Sequence, residues 1–88
     1  MRAVSTTLEN RVAVVSGAAS GIGSGIAELF VESGCCVVIA DIDQTAGSEL
    51  ASRLGHLAHY SYLDVKEEAS WTALFDLVKK NWGDIDIL

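Results

Sequence analysis

The chain has no proline, two cysteines, six basic residues among its eighty-eight, and no apolar run longer than Cys35 to Ala40. Each shortage excludes something. A membrane-spanning helix needs about 20 consecutive apolar residues, so no segment reads as a span and no membrane partner is expected. The Lys and Arg side chains are scattered, with only Lys79 and Lys80 adjacent, and the formal charge is −6. Nucleic acid is therefore not an expected partner. Cys35 and Cys36 are neighbours whose side chains point to opposite faces of a strand, so they do not form an ordinary disulfide with each other. They read as small buried apolar residues. His56 and His59 have no Cys or acid at a zinc-like spacing, and no metal is expected. The opening MRAVSTTLEN holds a single Arg and no secretory signal, which makes cytoplasmic residence the default expectation.

What is present is an alternation of element types. Eighty-eight residues allow one domain at most, and a chain this short buries only about 60–65% of its unfolded surface. Half the residues are apolar, a high share that suggests a piece of something with a larger core. Arg11 to Ser16 reads as a first strand. A helix is expected from about Ile22 to Ser33, with Ile22, Ile26, Leu29 and Phe30 on one stripe and Gly34 ending it. Val37-Val38-Ile39-Ala40 has the continuous apolarity of a parallel strand covered on both faces. Asp43 or Thr45 opens a second helix carrying Ala46, Leu50 and Leu54, and Gly55 stops it.

Leu57 to Leu63 reads as a third strand. A third helix runs from about Glu67 to Asn81, with Trp71, Leu74, Phe75, Val78 and Trp82 on one broad apolar face. Glu67 and Glu68 at its start and Lys79 and Lys80 at its end suit the helix dipole. Ile85-Asp86-Ile87-Leu88 reads as the beginning of a fourth strand, broken off at Leu88. The sum is an α/β chain: a Rossmann-type, doubly wound parallel sheet of order 3-2-1-4, truncated after the start of strand four. The first two helices then share one face and the third covers the other. The ligand crevice of such a sheet opens between strands one and four.

The segment Ser16-Gly17-Ala18-Ala19-Ser20-Gly21-Ile22-Gly23 follows the first strand directly. A strand, a glycine-rich turn and a helix start present backbone N–H groups and the positive end of a helix dipole to a phosphate. Gly17 permits a sharp exit from the strand, Gly21 clears space for a ligand, and Gly23 lets the helix pack close to the sheet. Ser16 and Ser20 add hydroxyls that either tie the loop or touch phosphate. Asp41 ends the second strand, eighteen residues after Gly23. That spacing places a carboxylate where it accepts from both hydroxyls of an adenosine ribose. A 2′-phosphate would meet its charge, and no base adjoins it in sequence, so NAD is favoured over NADP. Asp64-Val65 ends the third strand near the expected adenine. From spacing alone Asp64 is equally an acid leading into the third helix. The histidines, the tryptophans, Tyr60 and Tyr62 read as core or surface residues.

These residues resemble the short-chain dehydrogenase/reductase family. SGAASGIG is similar to that family's TGxxxGIG turn, with three residues between the first two glycines. ADID, carrying Asp41, looks like the NAD-selecting end of its second strand. LDV, carrying Asp64 and Val65, resembles its adenine-contact motif, and WGDIDIL the approach to its fourth strand. The resemblance runs from Glu9 to Leu88. It implies that Gly17, Ser20, Gly21, Ile22 and Gly23 line the diphosphate, Asp41 and Ile42 the ribose, and Asp64 and Val65 the adenine. It also implies a homo-oligomeric parent acting on a secondary alcohol or ketone.

Two local departures stand out. Gly25 sits inside the first helix, and Lys66 is a poor N-cap for the third. The family's NNAG segment and its catalytic Ser and Tyr-x-x-x-Lys have no counterpart here. Tyr60 and Tyr62 are followed four residues on by Asp64 and Lys66. No catalytic residue is expected in residues 1–88, which read as a single, incomplete NAD-binding segment. Other readings are a stand-alone nucleotide-binding or interaction module and a non-functional truncated fragment. A methyltransferase, which also places an acid after its second strand, is disfavoured by the glycine spacing.

Overall fold

A computed structural model of the chain describes residues 10–18 and 20–86. The elements are β1 (Val12–Ser16), α1 (Gly21–Glu32), β2 (Cys36–Asp41), α2 (Gln44–Leu54), β3 (Ala58–Tyr62) and α3 (Glu68–Trp82). The three strands are parallel and lie in the order β1-β2-β3. This is the expected α/β doubly wound arrangement.

Side-chain alternation along the strands separates two cores. Register pairs Val15 with Ile39 and Ile39 with Tyr60. That row joins Ala13, Val37, Ala27 and Leu50 in one cluster, with Phe30, Val31 and Leu54 packed against it. The alternate row pairs Val14 with Val38 and Val38 with His59. Val12, Val14, Val38 and Ala40 join Leu63, Leu74 and Val78 in the second cluster, flanked by Trp71, Trp82 and Ile85. So α1 and α2 cover one face and α3 the other. The His59 ring lies 4.7 Å from the Trp82 ring. Val37, Val38, Ile39 and Ala40 are fully buried because β2 is central and covered on both sides.

The first helix differs from expectation. Ile22 is 83% exposed, and Ile26 and Leu29 are also exposed. The buried residues of α1 are Gly23 and Ala27. The cause is close approach: a Cβ on Gly23 would overlap the Gly17 carbonyl oxygen and the Ala18 Cα. The helix therefore sits on its smallest side chains and turns its larger apolar stripe outward. Of that expected stripe, only Phe30 packs against the core. On α3, Phe75 is likewise exposed and lies 5.6 Å, ring to ring, from Trp71.

The element ends follow local chemistry. Gly34 has φ 87° beyond α1, as a residue after a helix end often does. Asp43, not Thr45, caps α2, its carboxylate accepting from the Ala46 N–H at 3.0 Å. Glu67, not Lys66, is the N-cap of α3, and its side chain makes no capping bond. The β3–α3 loop is tied elsewhere. The Asp64 N–H donates to the Ser70 hydroxyl at 2.9 Å, and the Lys66 N–H donates to the Asp64 carboxylate at 3.0 Å.

Beyond α3 the chain returns to the free edge of β1. The Asp86 N–H donates to the Val12 carbonyl at 2.8 Å, and the Val12 N–H to the Asp86 carboxylate at 3.0 Å. The Arg11 guanidinium stands 3.9 Å from the same carboxylate. No fourth strand is formed among the described residues, and Ile87 and Leu88, half of the expected one, lie outside them. The approach of Asp86 is nevertheless on the side of β1 away from β2, where order 3-2-1-4 requires it.

Candidate functional site

The turn after β1 is built by its own backbone. Gly17 has φ 67°, a left-handed conformation that glycine adopts without strain. Its N–H donates to the Ala40 carbonyl at 2.8 Å, which locks the turn to the end of β2. The Ser20 hydroxyl donates to the Gly17 carbonyl at 2.8 Å and accepts, at 3.4 Å, from the Gly23 N–H. Ser20 is thus the N-cap of α1 and ties the loop. The N–H groups of Gly21 and Ile22 have no acceptor among the described residues. A Cβ on Gly21 would meet nothing within 4 Å. Two donors at a helix start with no described acceptor, beside cleared space, suit an anion. The first turn of α1 holds no acid that would occupy them.

Beside this turn is an open cleft of about 330 Å³, lined by Gly17, Asp41, Ile42, Leu63, Asp64, Val65 and Lys66. Five expected site residues therefore meet in one place: Gly17 from the turn, Asp41 and Ile42 from the end of β2, Asp64 and Val65 from beyond β3. Ser20, Gly21, Ile22 and Gly23 do not line it but form the adjoining start of α1. Parallel strands end on the same side, which is why residues from three loops converge.

Asp41 is half-buried and accepts from the Asp43 N–H at 2.9 Å. Its main-chain oxygen accepts from the Tyr60 hydroxyl at 2.8 Å. Burial, and then the charges of Asp41 and Asp43, push the Tyr60 phenol above its usual range. Ile42 is 58% exposed and Val65 57% exposed, two apolar side chains on the cleft with little else covering them. The Val65 N–H donates to no described residue, and its carbonyl accepts from the Trp71 indole at 3.0 Å.

Three features were not read from the sequence. Lys66, a basic residue, lines the cleft that holds Asp41, although the two are far apart along the chain. Trp71 anchors the cleft wall through Val65. Tyr60 supports the end of β2, with its ring against Gly47, where a Cβ would overlap it. No pattern of spacing marks these contacts, since each depends on how the β3–α3 loop and α2 fold back. Among the described residues no group of three or more His, Cys, Asp or Glu is placed to hold a metal ion. No helix among them is long and apolar enough to cross a membrane.

Comparison with known proteins gives this geometry a setting. The family model for short chain dehydrogenases matches residues 11–88. The chain is similar to (+)-borneol dehydrogenase 1 of Salvia officinalis, 45% identical over 98% of this chain and 33% of that protein. It is also similar to tropinone reductase-like 1 of Erythroxylum coca, 46% identical over 92% of this chain and 30% of that protein. Among solved structures, 3-ketoacyl-(acyl-carrier-protein) reductase from Brucella melitensis, complexed with NADH, superposes with a TM-score of 0.87 at 33% identity. That match covers 91% of this chain and 34% of the reductase. The chain thus spans about a third of the length of the curated relatives it matches. Along nearly all of its own length it belongs to the short-chain dehydrogenase family.

Proposed function

We propose that residues 1–88 form the adenosine- and diphosphate-binding part of an oxidoreductase that prefers NAD to NADP. The single observation that carries this reading is the cleft shared by Gly17, Asp41, Ile42, Asp64 and Val65, opening beside the N–H groups of Gly21 and Ile22, which have no acceptor among the described residues. Those N–H groups and the dipole of α1 hold the diphosphate. The Asp41 carboxylate accepts from the adenosine-ribose hydroxyls and repels a 2′-phosphate. Ile42 and Val65 flank the adenine, whose edge meets the Val65 N–H and the Asp64 carboxylate. Ser20 and Gly23 act through the turn, fixing its shape.

NAD supplies the hydride acceptor for oxidation of a secondary alcohol, or in reduced form the donor for a ketone. Relatives named as dehydrogenases and reductases, and a structural neighbour complexed with NADH, support that chemistry. No residue of this chain takes the proton-transfer role, so the 88 residues alone bind without turnover. The intact enzyme is a cytoplasmic homo-oligomer on this reading.

Calorimetric titration with NAD, NADP and AMP tests it. NAD and AMP bind weakly, NADP more weakly, and Asp41→Ala narrows the difference. NADP binding tighter than NAD, an unchanged ratio in the variant, or turnover by the purified chain contradicts the proposal.

A second reading, a stand-alone nucleotide-binding or interaction module, is favoured by the exposed Ile22, Ile26 and Leu29 on α1 and Phe75 and Leu77 on α3. Sedimentation equilibrium separates the two. Association that grows with concentration supports the module, and a monomer at all concentrations counts against it.

A further inference from the structure

The cleft carries three charged side chains among its described lining residues: Asp41, Asp64 and Lys66. Two are negative, and the whole chain is negative by six charges. A nucleotide bringing its own phosphates enters against that field. Lys66 is the only basic residue among those lining residues. Its main-chain N–H is fixed to the Asp64 carboxylate, which holds the residue at the cleft wall. Its side chain is exposed, and its ammonium joins no ion pair among the described residues.

We infer that Lys66 is a charge-balancing residue of this cleft, whose ammonium offsets the Asp41 and Asp64 carboxylates in the field felt by the phosphates of a bound nucleotide. The inference rests on the nucleotide-binding reading above and goes beyond it, because it concerns how affinity depends on ligand charge. Lys66 touches neither ribose nor diphosphate in that reading, so its effect is long-range. Coulomb's law across roughly 10 Å of water gives about a twofold affinity factor per unit of ligand charge at low ionic strength. At about 0.5 M salt, where screening acts within a few ångströms, the factor disappears.

The experiment is a titration of the chain with adenosine, AMP and ADP at low and high salt, for wild type, Lys66→Gln, Lys66→Arg and Lys66→Glu. All three substitutions are at an exposed position, and thermal midpoints establish that each variant is folded. Lys66→Gln is expected to weaken AMP roughly two- to fourfold and ADP somewhat more at low salt, beyond any change it makes to adenosine affinity. Lys66→Glu, with twice the change in charge, squares that loss to about four- to sixteenfold for AMP, and Lys66→Arg retains wild-type affinity. Equal loss for adenosine and ADP, or unchanged AMP and ADP affinity at low salt, overturns the inference while leaving nucleotide binding intact. Failure of the wild type to bind all three ligands overturns the binding reading itself, and the role of Lys66 with it.

Discussion

The phenol of Tyr60 donates to the main-chain oxygen of Asp41 at 2.8 Å, while its ring fills the space left by the missing side chain of Gly47. A residue of β3 and a glycine of α2 thus fix the end of β2, where the acid of the cleft is displayed. Tyr60→Phe removes one hydrogen bond and keeps the packing, so a stability loss of about 1 kcal/mol is expected. For a domain of this size that corresponds to a melting point lower by about 4–8 °C. Gly47→Ala forces the ring aside and costs about 1–3 kcal/mol by overpacking. Thermal denaturation of the two variants gives both values, with Gly47→Ala expected to be the more damaging.

Two glycines of α1 have opposite expected responses to alanine. At Gly23 a Cβ would overlap backbone atoms of Gly17 and Ala18, which cannot swing away as a side chain does. Gly23→Ala is expected to cost about 1–3 kcal/mol and to weaken nucleotide binding by displacing the turn. Gly25 is exposed, and a Cβ there meets nothing within 4 Å. Gly25→Ala is expected to stabilise the chain by up to about 1 kcal/mol through helix propensity. Urea denaturation of both variants shows whether the signs differ.

The Cys35 thiol is fully buried and donates to the Arg11 carbonyl at 3.3 Å. Burial, and then the neighbouring Cys36, raise the Cys35 pKa above its usual value, and burial raises that of Cys36. An acid whose folded-state pKa is raised retains its proton longer in the native chain than in the unfolded one. The native advantage is complete below the unfolded thiol pKa of about 8.5 and falls as pH rises through the folded value. Denaturant midpoints are therefore expected to be level through neutrality and to decline above about pH 8.5. Cys35→Ala is expected to flatten that decline even though it lowers the starting stability.

Trp71 provides an intrinsic reporter of the cleft, because its indole donates to the Val65 carbonyl. Ligand packing against Val65 is expected to change Trp71 emission in a saturable way. Trp71→Phe is expected to abolish most of the signal, with the remaining Trp82, tilted against His59 on the second core face, responding little.

The glycine turn after β1 and the placing of Asp41 at the end of β2 are legible in the sequence because backbone geometry dictates residue type there. A left-handed turn asks for Gly17, a close helix approach asks for Gly23, and a parallel strand end displays Asp41 at a fixed spacing. The direction in which the apolar stripe of α1 faces is not legible, for a related reason. Gly23 and Ala27 make the buried contact, and residues so small leave almost no mark in an apolar pattern. Ile22, Ile26 and Leu29 carry a stronger pattern but face away from the sheet. Lys66, Trp71 and Tyr60 were legible as residue types but not as neighbours of the cleft. Their positions follow from the Asp64–Ser70 tie, the Trp71–Val65 bond and the Gly47 gap, which are contacts of the folded chain.

On the proposed function, a dinucleotide's diphosphate rests on the start of α1 while Asp41 holds its adenosine ribose. Amide chemical shifts of the isotope-labelled chain, followed during titration with NAD, test it residue by residue. The expected result is saturable shifts concentrated at Gly21, Ile22 and Gly23, at Asp41 and Ile42, and at Val65, with the Asp41 group of shifts reduced in Asp41→Ala. Saturable shifts centred elsewhere, such as around Arg53 or Trp82, or no shifts at the start of α1, would contradict it.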